Sequence, residues 1–389
     1  MNILFLGPVC PLDKIEYIKQ ISSYFDYPAN VLEHALIDGF SESCNVTVIS
    51  SLKLHTNKFF IPQFQYKDSC HCKGLVLSHV NIPYFDQIFN ARRKYKKFLN
   101  SGITPDMIYI YSTRIDDIKC ASYVKKKFPN VKVINMITDL PQFMRDSGSL
   151  AYRLLKGLET RLVHKYMSKC VDGYVLLSEY MKEHLPLNIP HVLIEGIFHP
   201  ENINNIPNKD NEKIVLYTGN LDARYGIKDL IDAFLLSESP KYLLWLCGVG
   251  DTIEYINKVS STDSRIKYLG VLPRKDIIKL QKQATLLVNP RHSKEEYTKY
   301  SFPSKTMEYM ASGTPTLMSP LLSLPEDYKK HLYLFDDESV EGMARTLSTI
   351  CKKDSRELLK FGLAAQKFIL SNKTSNIQCQ KIFDFVSHI

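Results

Sequence analysis

Short apolar runs rich in β-branched residues recur at Val46–Ile49, Met107–Tyr111, Val131–Asn135 and Gly173–Leu177, with helical periodicity between them. Alternating strand and helix predicts a parallel sheet wrapped on both faces. The pattern breaks at a polar stretch containing Pro200, Asn202, Asn204, Asn205, Pro207, Asn208, Asp210 and Asn211, which reads as an interdomain linker. It restarts with Ile214–Tyr217, Tyr242–Leu246, Ile266–Leu269, Ala284–Val288 and Thr314–Met318. A chain of 389 residues also exceeds the size at which one hydrophobic core keeps growing. The expectation is therefore two doubly wound α/β domains, 1–200 and 201–370, each presenting a site at the carboxyl ends of its strands. Arg356 to Phe385 is helical in pattern, and a final segment 371–389 is expected to pack back on the first domain.

The remaining composition narrows the class. With 44% hydrophobic and 23% charged residues, the chain reads as globular and not as disordered or fibrous. Its nine cysteines are scattered through apolar segments, so they read as reduced and buried. Cys70-His71-Cys72 has no nearby second pair to complete a tetrahedral site, and no metal is expected. Asn2 to Leu6 is too short and lacks the basic leader of a signal peptide; it reads as a first strand ending at Gly7-Pro8. No apolar stretch approaches the roughly 18 residues a membrane-spanning helix needs, which points to a cytoplasmic protein. The net charge of +9 gathers at Arg92-Arg93-Lys94-Tyr95-Lys96-Lys97 and Lys125-Lys126-Lys127, which suits anionic partners. No nucleic-acid motif accompanies it, so an anionic membrane surface or a phosphorylated acceptor is preferred over nucleic acid. The plain alternative is two solvated helix faces.

Chemistry concentrates in the second half. Tyr300 to Pro315 reads as a strand-exit loop running into a helix that stops at Gly313. Free amides at a helix start hold phosphate, and Ser304, Lys305 and Thr306 would form that start, with the lysine adding a point charge. Glu308, one turn on, can accept hydrogen bonds from two ribose hydroxyls. A capped helix with a surface lysine and glutamate is the bland reading.

Glu308-Tyr309-Met310-Ala311-Ser312-Gly313-Thr314-Pro315 resembles the signature of group 1, family 4 retaining glycosyltransferases of the GT-B fold, the exopolysaccharide and capsule branch above all. The resemblance spans nearly the whole chain. Tyr217-Thr218-Gly219-Asn220 through Gly226-Ile227 looks like the family's strand, glycine turn and basic residue. Here Asn220 and Tyr225 stand where the family carries Arg and Lys, leaving Arg224 as the cation of that turn. Cys247-Gly248-Val249-Gly250 resembles its strand-end glycines, and Leu269-Gly270-Val271-Leu272-Pro273 its base-contacting turn. Eight residues before Glu308 the family has a donor-sugar glutamate; this chain has Tyr300, and Glu295 or Glu296 would substitute if the loop were longer.

The resemblance implies two Rossmann-like domains facing across a cleft and metal-independent, retaining transfer. The donor would be a nucleotide sugar, UDP-sugar first, with no cofactor. The acceptor would be a glycan or a polyprenyl-diphosphate-linked sugar, in cell-surface polysaccharide synthesis, with the enzyme peripheral on the inner face of the plasma membrane. Asp139, Arg224 and Glu308 are the catalytic candidates. Gly7, Gly219, Arg224, Gly248, Val271, Leu272, Ser304, Lys305, Thr306 and Glu308 are the donor-binding ones. Asp139 would orient or deprotonate the acceptor, or else merely cap a helix. Asp116-Asp117 and Asp336-Asp337 read as turn residues, and no Asp-x-Asp pair sits at a strand end. Two rivals are a nucleotide-sugar epimerase of the same architecture, which needs further paired acid–base groups, and a nucleotide-sugar binder without turnover.

Overall fold

The computed structural model describes residues 1–69, 71–80, 85–140, 150–186, 188–199, 213–237 and 241–389. The predicted linker lies largely outside them. The chain divides into two compact units, one formed by Met1–His199 with Ser375–Ile389 and the other by Pro200–Thr374.

The first unit runs β1 (Asn2–Gly7), α1 (Ile15–Ile21), α2 (Tyr27–Ser41), β2 (Asn45–Ser50), β3 (Phe60–Ile61), β4 (Phe64–Ser69), β5 (Cys72–Val76), β6 (His79–Val80), α3 (Phe85–Asn100), β7 (Met107–Tyr111), α4 (Ile115–Lys127), β8 (Lys132–Ile137), α5 (Leu150–Cys170), β9 (Gly173–Leu176) and β10 (His191–Leu193). Its main sheet is ordered β10-β9-β8-β7-β1-β2-β5-β4 and is parallel except for the edge pair β4–β5. β1, β7 and β8 are buried over nearly their whole length, so they read as continuous apolar runs instead of alternating ones. The β4–β5 hairpin and the small β3–β6 pair were not anticipated, because residues 52–80 carry no apolar run longer than three residues.

The second unit follows with β11 (Lys213–Asn220), α6 (Ile227–Leu236), β12 (Tyr242–Val249), α7 (Ile253–Ser260), β13 (Ile266–Tyr268), α8 (Arg274–Gln283), β14 (Leu286–Asn289), α9 (Ser304–Ala311), β15 (Thr316–Met318), α10 (Glu326–Lys329), β16 (Tyr333–Leu334), α11 (Val340–Cys351) and α12 (Ser355–Asn372). Its sheet is all parallel, ordered β13-β12-β11-β14-β15-β16. The winding direction reverses between β11 and β14, where such sheets open a crevice for ligands. The core beneath joins Val215, Leu244, Leu286 and Leu317 of the sheet to Ile231 and Phe234 of α6 and Leu347 of α11.

The helix break near Thr374 releases α13 (Ser375–Ser387), which lies along α2 in the first unit. Cys379 and Ile382 are fully buried there with Ile37, Phe40 and Tyr109. Gly39 of α2 is required by this packing, since a Cβ would press on the Ser375 carbonyl and the Cys379 sulfur.

Two readings of charge need correction. Lys94 is not on a basic face but fully buried, its ammonium 2.9 Å from Asp116 and bonded to Asp117. Asp116 and Asp117 are therefore not turn residues. They lie in the first turn of α4, where Arg114 Nε reaches Asp116 Oδ1 at 3.1 Å and Ser51 Oγ donates to Asp116 Oδ2 at 2.7 Å. A lysine amid two carboxylates and an arginine is neutralised internally, and the cations hold Asp116 well below the usual carboxylate range despite its burial. Arg93 is turned inward too, donating to Asn90 and Ser78. The exposed cations of α3 are Arg92, Lys96 and Lys97.

Candidate active site

The second unit gathers its chemistry where β11, β12 and β14 end. Gly219 and Gly248 are register partners on β11 and β12, with φ of 136° and 141°. Both conformations disfavour a side chain, and space excludes one as well. A Cβ on Gly248 would overlap the Gly219 carbonyl, and one on Gly219 would overlap the Lys305 ammonium. Gly219 thus opens the space that Lys305 enters, and Gly248 leaves room for the Gly219 carbonyl.

Lys305 comes from the first turn of α9, whose start has Pro303 at the N-cap position and no side-chain cap. Unmet amides and the positive end of the helix are therefore offered to an anion. Tyr309 Oη fixes α9 against β11, accepting from the Thr218 amide at 2.9 Å and donating to its carbonyl at 3.1 Å. The Lys305 ammonium sits 4.8 Å from the Tyr217 ring centroid and 3.4 Å from its hydroxyl. Burial, with Arg291 adding repulsion, pulls its pKa down to about 8, while Glu308 opposes the shift.

Glu308 is held by two neighbours. Gln281 Nε2 donates to Oε1 at 2.5 Å and Arg274 to Oε2 at 3.1 Å. Each carboxylate oxygen keeps a further lone pair, so the group is aimed rather than consumed. Arg274 opens α8 directly after the turn carrying Val271 and Leu272, and that turn is tied to the glycine pair through Gly248 N donating to Gly270 O at 2.9 Å. Val271 is 69% exposed, an apolar surface free to meet a flat base.

The other predicted residues separate. Ser304 is exposed at the start of α9. Thr306 turns away from it: its amide donates to Pro303 O at 2.8 Å and its hydroxyl to Met318 Sδ at 3.6 Å, within the core. Tyr300 is 7% exposed, and Glu295 and Glu296 are exposed at a 3-10 turn, Glu296–Tyr300. Gly7 and Asp139 belong to the first unit, at the carboxyl ends of β1 and β8. A Cβ on Gly7 would press on Glu33 and Tyr111. Asp139 is exposed at the surface, and partial desolvation by the protein around it, with repulsion from Asp26, raises its carboxyl above the ordinary value.

Sequence reasoning missed Arg291, two residues beyond β14. Arg224 Cζ lies 4.6 Å from the Tyr225 ring and 5.6 Å from that of Tyr297, while Arg291 Cζ lies 4.5 Å from Tyr297 and 5.8 Å from Tyr225. No local spacing announces such an arrangement. Among the described residues no group of three or more His, Cys, Asp or Glu side chains could hold a metal ion. Cys70 lies outside those residues, and Cys72 is buried in β5. Among them, too, no helix is long and apolar enough to cross a membrane.

Residues 199–368 match the family model of group 1 glycosyl transferases. No curated protein matches the chain in sequence. Among solved structures, sucrose-phosphate synthase from Thermosynechococcus elongatus superposes with a TM-score of 0.66 at 15% identity, over 100% of this chain and 99% of that one. HepE from Anabaena, in complex with UDP, gives 0.63 at 14% identity over the whole of both chains. The trehalose-phosphate synthase of Burkholderia vietnamiensis gives 0.60 at 9% identity, again over both whole chains. The fold is GT-B. In GT-B terms the second unit holds the group 1 match, and the paired glycines, the start of α9 and Glu308 all fall inside it.

Proposed function

We propose that the chain is a glycosyltransferase that moves a sugar from a nucleoside diphosphate donor, a UDP-sugar by preference, onto a glycan or a polyprenyl-diphosphate-linked acceptor. The observation that carries this reading is the uncapped start of α9, with Lys305 lodged in the gap left by Gly219 and with Glu308 aimed one turn further on. The group 1 match over the same residues and the UDP bound by HepE support it.

In the reaction the bond from the anomeric carbon to the diphosphate oxygen breaks, and the acceptor oxygen bonds to that carbon on the same face. Charge grows on the leaving diphosphate, where Lys305, Arg224 and the helix amides meet it; such preorganised donors are among the largest catalytic terms. Glu308 would take the ribose hydroxyls, the turn at Val271 and Leu272 the base, and Asp139 the acceptor proton, a task that its raised pKa suits. Retention, independence from divalent metal and a role in cell-surface polysaccharide at the inner membrane face complete the proposal, on the strength of the sequence resemblance. The buried Tyr300 at the place of the expected glutamate favours one second reading, a nucleotide-sugar binder without turnover.

One experiment separates them: incubation of the protein with UDP-, GDP-, dTDP- and ADP-sugars in EDTA, with glycan or polyprenyl-diphosphate-linked acceptors and with water alone as acceptor, following free nucleoside diphosphate and product. Release is expected, and Glu308→Gln should slow it about a hundredfold. Stabilisation by a nucleotide sugar without release, with or without Mg²⁺ and Mn²⁺, would support the binder; activity only with a divalent ion would overturn metal independence.

A further inference from the structure

We propose that Arg291 grips the donor diphosphate together with Arg224, the two guanidiniums forming one clamp mounted on Tyr225 and Tyr297. This rests on the nucleotide-sugar reading above and names a residue that reading did not include.

The clamp is assembled from separate loops. Arg224 lies in the 3-10 turn after β11, and Arg291 follows Pro290 just past β14, so they flank the point where the sheet reverses its winding. The loops are in direct contact, because Gly226 (φ 76°) packs where any Cβ would overlap the Pro290 carbonyl. The Arg291 loop is also tethered behind. His292 Nε2 bonds Asp229 Oδ2 at 2.7 Å, and Glu338 accepts from the Ser293 amide at 3.0 and 3.1 Å. Arg291 is thereby placed before any ligand arrives, as a binding group must be.

The charge balance is the decisive feature. Both guanidiniums share the same two tyrosine rings, and Lys305 is close enough for Arg291 to depress its pKa. Among the described residues none of these three cations forms an ion pair with a carboxylate. The contrast lies within the same chain, where buried Lys94 meets two aspartates. Cation–π attraction of about 0.5–2 kcal/mol per contact orients the arginines but neutralises nothing. No carboxylate therefore pairs directly with the cluster, although Glu308 and Asp222 lie near enough to favour the charges of Lys305 and Arg224. Hydrogen-bonding capacity is spare as well: Arg291 donates to Ser301 Oγ at 3.2 Å, while its Nε is buried without a partner. A planar fork with unused donors suits a phosphate bidentately, and two forks suit a diphosphate.

The test is equilibrium binding of UDP, GDP, dTDP and ADP, and of the matching nucleosides, to the wild-type chain and to Arg291→Gln. Arg291→Gln should weaken the preferred diphosphate about 10- to 100-fold, the loss expected for a charge-assisted pair, and change the nucleoside less than about threefold. Unchanged diphosphate affinity, or equal loss for diphosphate and nucleoside, would overturn the clamp and leave Arg291 a purely structural role. If the wild type binds none of the four diphosphates, the donor-site reading itself falls. Should Arg291→Gln melt early, Arg291→Lys carries the test: a point charge without the fork should give intermediate diphosphate affinity with nucleoside affinity intact, and full affinity would exclude the bidentate clamp.

Discussion

Lys305 shows how a single residue is tuned by where its ammonium is lodged. Its pKa of about 8 means that the charge is complete below that pH and is lost as pH rises through it. A bound diphosphate favours the ammonium, so binding above about pH 8 takes up a proton, and affinity should fall by up to tenfold per pH unit. Titrating UDP affinity between about pH 7 and 9.5 should show this decline, and Lys305→Met should flatten it. A flat wild-type profile would mean that the lysine does not meet the phosphates. At this scale the sequence exposed Lys305, Glu308 and the paired glycines, because each sits in a local motif. It hid Gln281, Tyr309 and Arg291, whose partners are brought up from other elements: Gln281 meets a glutamate 27 positions away, and Tyr309 a threonine 91 positions away.

At the scale of elements, the central strands of both sheets were legible because buried parallel strands concentrate β-branched residues into unbroken runs, whereas β4, β5, β10 and β16, at or beside the sheet edges, were not. Helix α3 was read less well. A row of cations looks like a solvated face, yet Lys94 points inward to carboxylates 22 and 23 positions on, and sequence periodicity cannot show that pairing. Breaking a buried pair leaves an uncompensated charge, which typically costs about 3–5 kcal/mol. Lys94→Met is expected to lower the stability of the first unit by that order in urea unfolding. The exposed Lys96→Met should stay within about 0.5 kcal/mol. Equal effects from the two would refute the buried network as a stabilising tie between α3 and α4. Thr306 belongs to the same lesson: its neighbour Lys305 enters the proposed anion site, whereas the helix turns the Thr306 hydroxyl toward Met318.

For the whole molecule, the membrane proposal rests on a smaller surface than the sequence suggested. Arg92, Lys96 and Lys97 remain exposed on α3 beside Phe89, which is 62% exposed. With about 1 kcal/mol for each cation near anionic headgroups, adhesion should be weak and salt-sensitive. Co-sedimentation with vesicles rich in anionic lipid is expected to exceed that with neutral vesicles and to drop when these three become Gln. Equal binding to both would remove the membrane from the proposal. The discontinuous first unit has a different consequence, for synthesis. On the ribosome Pro200–Thr374 emerges whole and can fold while the surface of α2 around Gly39 and Phe40 still awaits α13. Until residues 375–389 clear the exit tunnel, that apolar strip is open to any passing hydrophobe. The nascent chain therefore exposes this strip from the emergence of α2 until residues 375–389 dock on it, and a chaperone would have to cover it throughout that interval.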